Sequence, residues 1–317
     1  MTATDQTRQD GLLFAVGAYL IWGLLPLYLR LVHAVPPTEF VGWRIVFTVP
    51  VCIAIVSFRC QWPDVIAALR NPKALGALLV SAVLIGGNWL IYVFAIQSGH
   101  VFAASLGYYI NPLINVLIGT IFLGERLGWR QWLASAVAAV GVGVLAWGAR
   151  DMLLISVALA GSFGLYGLVR KLAPVGSLPG LTVETLLLLL PATGWLVFLG
   201  HGPAETHFGH DARLSVLIAL SGVLTAVPLL LFALAARRMD YSALGFVQYI
   251  APTIVFVTGL AVFDEPLRPV QIVSFVLIWL SIAVFTWDVV ARRRAASAQH
   301  ELVPAAEEIR RENREPV

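Results

Sequence analysis

Ten runs of about 20 mainly apolar residues follow one another along this chain of 317 residues. A run of that length crosses a bilayer as an α-helix, because a helix rises ~1.5 Å per residue and the hydrocarbon core is ~30 Å thick. Hydrophobic residues make up 59% of the chain and charged residues only 12%, far outside the usage of soluble domains. We therefore predict an all-α polytopic membrane protein with ten transmembrane helices, at residues 11–31, 38–58, 74–96, 102–123, 129–148, 153–170, 181–200, 214–236, 243–263 and 270–290.

Basic residues are concentrated in the segments that connect the predicted spans on one side of the membrane. If the N-terminus is cytoplasmic, thirteen Lys and Arg residues fall in inner segments and four in outer loops. Cytoplasmic loops carry the excess of such residues, so we predict a cytoplasmic N-terminal segment at 1–10 and a cytoplasmic, disordered polar tail at 292–317. This topology explains the sequence pI of about 9.0 without any binding of nucleic acid.

Two stretches 140 residues apart share a set of residues that is unusual in apolar helices. They read "SLGYYINPLINVLIGTIFLGERL" at 105–127 and "GFVQYIAPTIVFVTGLAVFDEPL" at 245–267, and 105–147 shares ten identities with 245–287 over 43 positions. Each unit holds five spans, an odd number, so the second unit must insert upside down. We predict two inverted five-helix repeats, 11–150 and 151–291, an arrangement typical of secondary transporters with a mid-membrane substrate site. The shared residues include Tyr109 and Tyr249, Pro112 and Pro252, Gly119 and Gly259, and Glu125 and Glu265.

A proline in the fourth span of each repeat should interrupt its helix. Pro112 has no N–H to donate to the carbonyl of Tyr108, and Pro252 likewise frees the carbonyl of Gln248. A free carbonyl in lipid needs a partner or a wet cavity, so we expect kinks at both prolines and cavity positions beside them. The alternative is that the neighbouring polar side chains only hydrogen-bond adjacent helices. The expected cavity residues are Tyr108, Asn111, Asn115, Gln248 and Tyr249.

Two ionisable residues, Arg44 and Glu184, lie inside predicted spans, where charge is costly and points to function. Their distances from the ends of the spans place the two residues at depths in the membrane that differ by roughly 13 Å. This difference argues against a direct salt bridge. We interpret Arg44 as an anion or hydrogen-bond anchor facing the cavity from the outer side. Glu184 is interpreted as a cation or proton site facing it from the inner side. The alternative for both is that neighbouring polar groups or interface water satisfy the charge.

Aromatic and amide side chains in other spans could complete a pocket for a small ligand. These are Asn88, Tyr92 and Tyr166, with Trp22 and Trp89 nearby, although interface anchoring is the competing role for any Trp or Tyr. The outer loop at 201–211 holds three histidines, but its irregular spacing does not predict a metal site. Glu125 and Glu265 are expected to cap helix–loop junctions or to act as gates.

Several longer strings resemble the RarD proteins, a group in the EamA branch of the drug/metabolite transporter superfamily. They are "GAYLIWGLLPLY", "GGNWLIYVFAIQSGHVFAASLGYYINPL", "SFGLYGLVRKLAPVGSLPGLTVETLLLLLP" and "LGFVQYIAPT". The resemblance covers about residues 11–290 and implies a ten-helix bacterial inner-membrane permease of two inverted repeats. The chain departs from the family pattern at Trp43, where the family has His before the arginine, and at Asp264, where it has Gly before "EP".

Together these observations predict a secondary transporter that moves a small organic solute or drug-like metabolite by alternating access. Its partners are that solute, the membrane lipids and, under one hypothesis for Glu184, protons. No nucleotide-binding, nucleophile or metal motif is found, so no cofactor is expected. The alternative is an intramembrane enzyme acting on a lipid or isoprenoid, a chemistry that normally uses paired carboxylates around a metal.

The predicted topology can be tested with reporter fusions. Fusions after Ala149 and Gly200 should report an outer location, and a fusion after Arg294 should report a cytoplasmic one, because the basic residues fix the orientation. A cytoplasmic signal from the 201–211 loop would contradict the ten-span arrangement.

Overall fold

The computed structural model describes residues 3–97, 101–147, 153–201, 206–262 and 269–312, and every regular element in these ranges is a helix. The prediction of an all-α protein is therefore confirmed. The helices are α1 (Ala3–Leu31), α2 (Pro37–Phe58), α3 (Trp62–Arg70), α4 (Pro72–Gln97), α5 (Val101–Ile121), α6 (Trp129–Trp147), α7 (Leu153–Leu172), α8 (Ser177–Gly200), α9 (Ala212–Arg238), α10 (Tyr241–Gln248), α11 (Ile250–Val262) and α12 (Pro269–Glu312).

Nine segments of the described chain are long and apolar enough to cross a membrane. They lie in α1, α2, α4, α6, α7, α8, α9, the α10–α11 pair and α12. Residues Leu106–Ile121 of α5 form a shorter apolar helix. The chain is thus a multi-pass membrane protein, while the count of ten spans and the inverted repeat stay predictions.

Two helical segments differ from the sequence-based prediction. α3 was not predicted, because its nine residues are too short for a spanning window, and its Val65 and Ala68 are buried. The tail was predicted to be disordered from residue 292, but α12 continues as a helix to Glu312. The tail is polar, yet Ala, Glu and Arg dominate it, and these residues have high intrinsic helix propensity.

The ninth predicted span is divided into two helices at Tyr249. α10 ends at Gln248 and α11 begins at Ile250, four and two residues before Pro252. The break fits the missing N–H of Pro252, which leaves the Gln248 carbonyl without its helical partner. α5, by contrast, is assigned as one continuous helix through Pro112, so the kink there stays a prediction.

The short helix α10 packs closely against its neighbours because glycines lie at the contacts, one in α10 and one in α7. A Cβ atom built on Gly245 would lie 2.7 Å from the carbonyl oxygen of Pro112 in α5. A Cβ atom built on Gly167 in α7 would overlap the hydroxyl of Tyr241, which donates a 2.7 Å hydrogen bond to the carbonyl of Gly164. Glycine at these positions lets the helix backbones approach, as in other membrane bundles.

Substituting two glycines of α7 should separate packing from helix propensity. Gly167→Ala should lower the stability by about 1–3 kcal/mol, because its methyl group overlaps Tyr241. Gly161→Ala is the matched control, since nothing lies within 4 Å of a Cβ there and alanine favours a helix. Thermal unfolding in detergent measures the stability of both variants. Equal unfolding midpoints for Gly167→Ala and Gly161→Ala would contradict the packing role of Gly167.

Candidate functional site

A cavity of about 380 Å³ runs into the helical bundle from the connection between α1 and α2. At that end it is lined by the exposed His33, and at its inner end by Gln248 and Pro252, beside the break between α10 and α11. Side chains of α1, α2, α4, α5, α7, α9, α10 and α11 form its walls. The cavity therefore takes its lining from both predicted repeats.

Most of the residues that the sequence predicted for a site line this cavity. Six predicted binding residues and one proline do so: Arg44, Asn88, Tyr92, Tyr108, Asn111, Gln248 and Pro252. Trp22 and Trp89, named as neighbours of the pocket, also line it. The other predicted residues are not among the lining residues, namely Asn115, Tyr166, Glu184, Tyr249 and Pro112.

Arg44 is held in a defined position on the cavity wall. Its Nε atom donates a 2.6 Å hydrogen bond to the hydroxyl of Thr225, whose own proton is donated to the carbonyl of Ser221 at 2.7 Å. The guanidinium carbon lies 4.7 Å from the ring centroid of Trp89, a cation–π distance. Within the described chain no carboxylate forms an ion pair with Arg44, in agreement with the prediction that Glu184 does not reach it.

Amide side chains form the inner end of the cavity. The Gln248 Oε1 atom accepts a 2.8 Å hydrogen bond from Asn115 Nδ2 and a 3.5 Å one from the hydroxyl of Tyr19. Asn111 also lines the cavity and is only 3% exposed, and its side-chain oxygen has no hydrogen-bond partner among the described residues. Asn111 thus has a buried amide oxygen, unpartnered within the described chain, beside the cavity.

Asn88 combines a place on the cavity wall with a structural role. Its Nδ2 atom donates to the carbonyl of Leu159 at 2.8 Å and to the hydroxyl of Ser162 at 2.9 Å. These bonds join α4 to α7, which is the interhelical role that the sequence left open as an alternative. Tyr92 and Tyr108 meet edge to face beside it, with ring centroids 6.4 Å apart.

Glu184 lies outside the cavity, which corrects its predicted orientation. It is 1% exposed, and its carboxylate forms a 3.3 Å ion pair with Arg170 and accepts a hydrogen bond from Ser81. Arg170 also donates a 2.6 Å hydrogen bond to the carbonyl of Ser177, and it fits only because position 180 is glycine. Arg170 is the last residue of the predicted sixth span, 153–170, where a basic residue marks the cytoplasmic end, so the sequence did not predict its pair with Glu184.

Tyr166 and Tyr249 are core residues in the structure. Tyr166 is fully buried and stacks on Phe232 with ring centroids 5.9 Å apart. Tyr249 is 1% exposed, and its hydroxyl lies 3.5 Å from the carbonyl oxygen of Tyr109. The hydroxyl of Tyr109 in turn lies 3.4 Å from the carbonyl oxygen of Pro252, so the two matched tyrosines join α5 to the α10–α11 pair.

The end of the bundle opposite His33 is closed by polar contacts. The carboxylate of Glu125, in the α5–α6 connection, accepts hydrogen bonds from the backbone N–H of Tyr241 at 2.5 Å and of Ser242 at 2.9 Å. It therefore caps the N-terminus of α10, as expected for a carboxylate at that position. Lys171 donates to the carbonyl of Ala236, in the last turn of α9, and to that of Met239, the residue that follows the helix. Glu265 lies outside the described residues.

The histidine-containing loop serves a structural contact where it is described. The backbone N–H and the Nδ1 atom of His207 lie 2.7 and 2.9 Å from the carboxylate of Glu39, which is buried at the start of α2. Among the described residues no group of three or more His, Cys, Asp or Glu side chains is arranged to hold a metal ion. Residues 202–205 of this loop lie outside the described chain.

The fold and cavity define a polytopic helical membrane protein with a solute-sized site, and comparison with known proteins gives its class. Residues 9–147 match the EamA-like transporter family. Protein RarD of Salmonella typhi is 42% identical over 290 residues, covering 91% of this chain and 98% of that protein. An uncharacterized transporter of Vibrio cholerae is 39% identical over 288 residues, covering 91% of this chain and 95% of its own.

A protein of known crystal structure shares the fold. Its TM-score with this chain is 0.69 at 21% sequence identity, and the match covers 87% of this chain and 97% of the other. The family match and the transporter relatives together give the class, which is a membrane transporter. Within that class the chain belongs to the EamA-like transporter family and to its RarD group.

The buried ion pair should respond to substitution as a unit. Glu184→Gln and Arg170→Gln should each lower the stability by about 3 kcal/mol, because each leaves one buried charge unpaired. The double variant should lose less than the sum of the two single losses. Unfolding in detergent micelles measures the stability of the parent, the two single variants and the double variant. Ser81→Ala is a milder control. Additive losses would contradict the pairing.

Proposed function

We propose that this protein is a secondary transporter that moves a small organic solute across the bacterial inner membrane by alternating access. The observation that carries the proposal is the one-sided cavity, in which Arg44, Asn88 and Asn111 of the first half face Gln248 of the second. A cavity shared by two halves and closed at one end is what alternating access requires. The membership in a transporter family supports the same function.

The proposed orientation follows from the basic residues. If the side that carries the excess of Lys and Arg is cytoplasmic, the His33 end of the cavity faces outward and the Glu125 end faces the cytoplasm. The conformation described above is then outward-facing. Both termini are cytoplasmic in this arrangement, with α5 as the tenth span and α10–α11 as its counterpart in the inverted repeat.

α10 is the proposed inner gate. Its eight residues span about 12 Å between the Glu125 contacts at one end and Gln248 at the cavity end. The break at Tyr249 separates it from α11, so α10 can move without displacing the rest of the ninth span. Opening toward the cytoplasm requires Glu125 to release the two backbone N–H groups of Tyr241 and Ser242.

Proton coupling is proposed to act through the buried pair of Arg170 and Glu184. Protonation of Glu184 would leave the Arg170 charge unpaired beside the α7–α8 connection, so it would favour a rearrangement there. The alternative function, an intramembrane enzyme on a lipid or isoprenoid, gains no support from the cavity. Its described lining includes no Asp or Glu side chain that could pair around a metal.

Flux measurements in proteoliposomes test the function directly. We expect the purified chain to move members of a metabolite panel, faster with an imposed pH gradient than without one. Glu184→Gln should abolish the effect of the gradient while downhill exchange stays measurable. Equal flux with and without the gradient would contradict proton coupling, and no flux of any solute would contradict transport.

Cysteine labelling from the two sides of the membrane tests the gate. Tyr108→Cys, in a background without Cys52 and Cys60, should react with an impermeant maleimide from the outside. Adding Glu125→Gln should raise labelling from the cytoplasmic side roughly tenfold, because the contacts that close this end are weakened.

The matched control is Asp64→Asn, which removes an exposed carboxylate from α3, outside the α10 contacts. It should leave labelling from both sides unchanged. Unchanged cytoplasmic labelling in the Glu125 variant would contradict the gate.

A further inference from the structure

We infer that the transported solute is a net anion, a carboxylate joined to an apolar, ring-sized body that carries one hydrogen-bond donor. The inference rests on the proposed function, because it assigns a ligand class to the same cavity. Among the described residues that line the cavity, Arg44 is the one with a permanent charge, and none is Asp or Glu. A positive site without a compensating acid favours an anionic ligand over a neutral, zwitterionic or cationic one.

The geometry of Arg44 suits a carboxylate in particular. The Nε atom is occupied by Thr225 and one face of the guanidinium is covered by Trp89, which fixes its plane. The two terminal nitrogens have no hydrogen-bond or ion-pair partner among the described residues. Two adjacent N–H donors of a fixed guanidinium match the two oxygens of a carboxylate. The hydroxyl of Thr225 is already oriented as an acceptor by its bond to Ser221, so it reinforces this position.

Aromatic side chains form the walls beside Arg44. The rings of Trp22, Trp89, Tyr92, Tyr108 and Phe163 all line the cavity. Trp22 and Phe163 pack edge to face with centroids 5.6 Å apart, and Tyr108 keeps 47% of its surface exposed. Rings arranged in this way bind the faces and edges of another ring or a branched apolar group. A volume of about 380 Å³ is in the range of small-ligand sites.

The hydrogen-bond donor of the solute is assigned to Asn111. An amide oxygen that is nearly fully buried and has no partner among the described residues is costly, and a ligand N–H or O–H would satisfy it. The neighbouring acceptor, Gln248 Oε1, already receives bonds from Asn115 and Tyr19. A phenolic or aliphatic hydroxyl fits here better than an ammonium group, because no described acid lines the cavity to balance a second charge.

Four probes that share one ring and one hydroxyl separate the possible classes. They are 3-(4-hydroxyphenyl)propionate, its neutral amide, the cation tyramine and the zwitterion tyrosine. Quenching of tryptophan fluorescence in the detergent-purified full chain measures their affinities, since two tryptophans line the cavity. We expect the propionate to bind about tenfold or more tightly than the amide, tyramine or tyrosine.

Variants of Arg44 connect this preference to the site. Arg44→Gln should weaken propionate binding roughly 10- to 100-fold and change amide binding by less than about twofold. Arg44→Lys keeps the charge but loses the paired donors, so it should bind the propionate with an intermediate affinity. This variant tests the site if Arg44→Gln does not fold. Arg213→Gln is the control, because it removes a positive charge from an exposed position on α9 outside the cavity, and it should bind like the parent.

Three results would overturn the ligand class: equal binding of amide and propionate, tighter binding of tyramine or tyrosine, or no binding of the propionate. Binding in detergent does not depend on flux, so the two proposals fail separately. Propionate binding without transport in proteoliposomes contradicts the transporter but leaves the ligand class in place. Transport of neutral solutes without propionate binding contradicts the ligand class alone.

Discussion

The carbonyl that Pro252 leaves without a helical partner is the constraint on which the inner half of the structure depends. In lipid a free carbonyl is costly, so a helix with such a proline must break beside a polar or wet region. The chain meets this requirement by dividing the ninth predicted span at Tyr249 and placing Pro252 and Gln248 on the cavity. One missing N–H therefore locates the inner end of the cavity and creates a short separate helix.

Two cations inside the helical bundle are accommodated in different ways, and the difference explains their roles. Arg170 meets a carboxylate inside the protein, which neutralises it and links α7 to α8. Arg44 meets a hydroxyl and an aromatic face, which hold its orientation but leave its charge in place. A charge kept without a counter-ion in a membrane needs a solvated cavity or a ligand of opposite sign. Arg44 lies on such a cavity.

Close packing by glycine determines where the bundle can close. Gly167 admits the ring of Tyr241, and Gly245 admits the backbone of α5, so α10 sits deep in the bundle. Glu125 then reaches the first N–H groups of α10 from a different part of the chain. The closed end combines polar contacts at the helix terminus with apolar packing, since Leu244 and Phe246 of α10 are buried in the core of the bundle.

The sequence by itself determined the helical class and the apolar segments, and most of the residues it named for a site line the cavity, because hydropathy and helix-breaking prolines act locally. Arg44, Asn111 and Gln248 were named for the site since polar groups in lipid are rare enough to be informative. Only the tertiary structure decided that Glu184 turns away from the cavity to Arg170, and that Thr225 holds Arg44. A helical pattern shows which residues share a face, but the residue opposite that face depends on how distant helices pack.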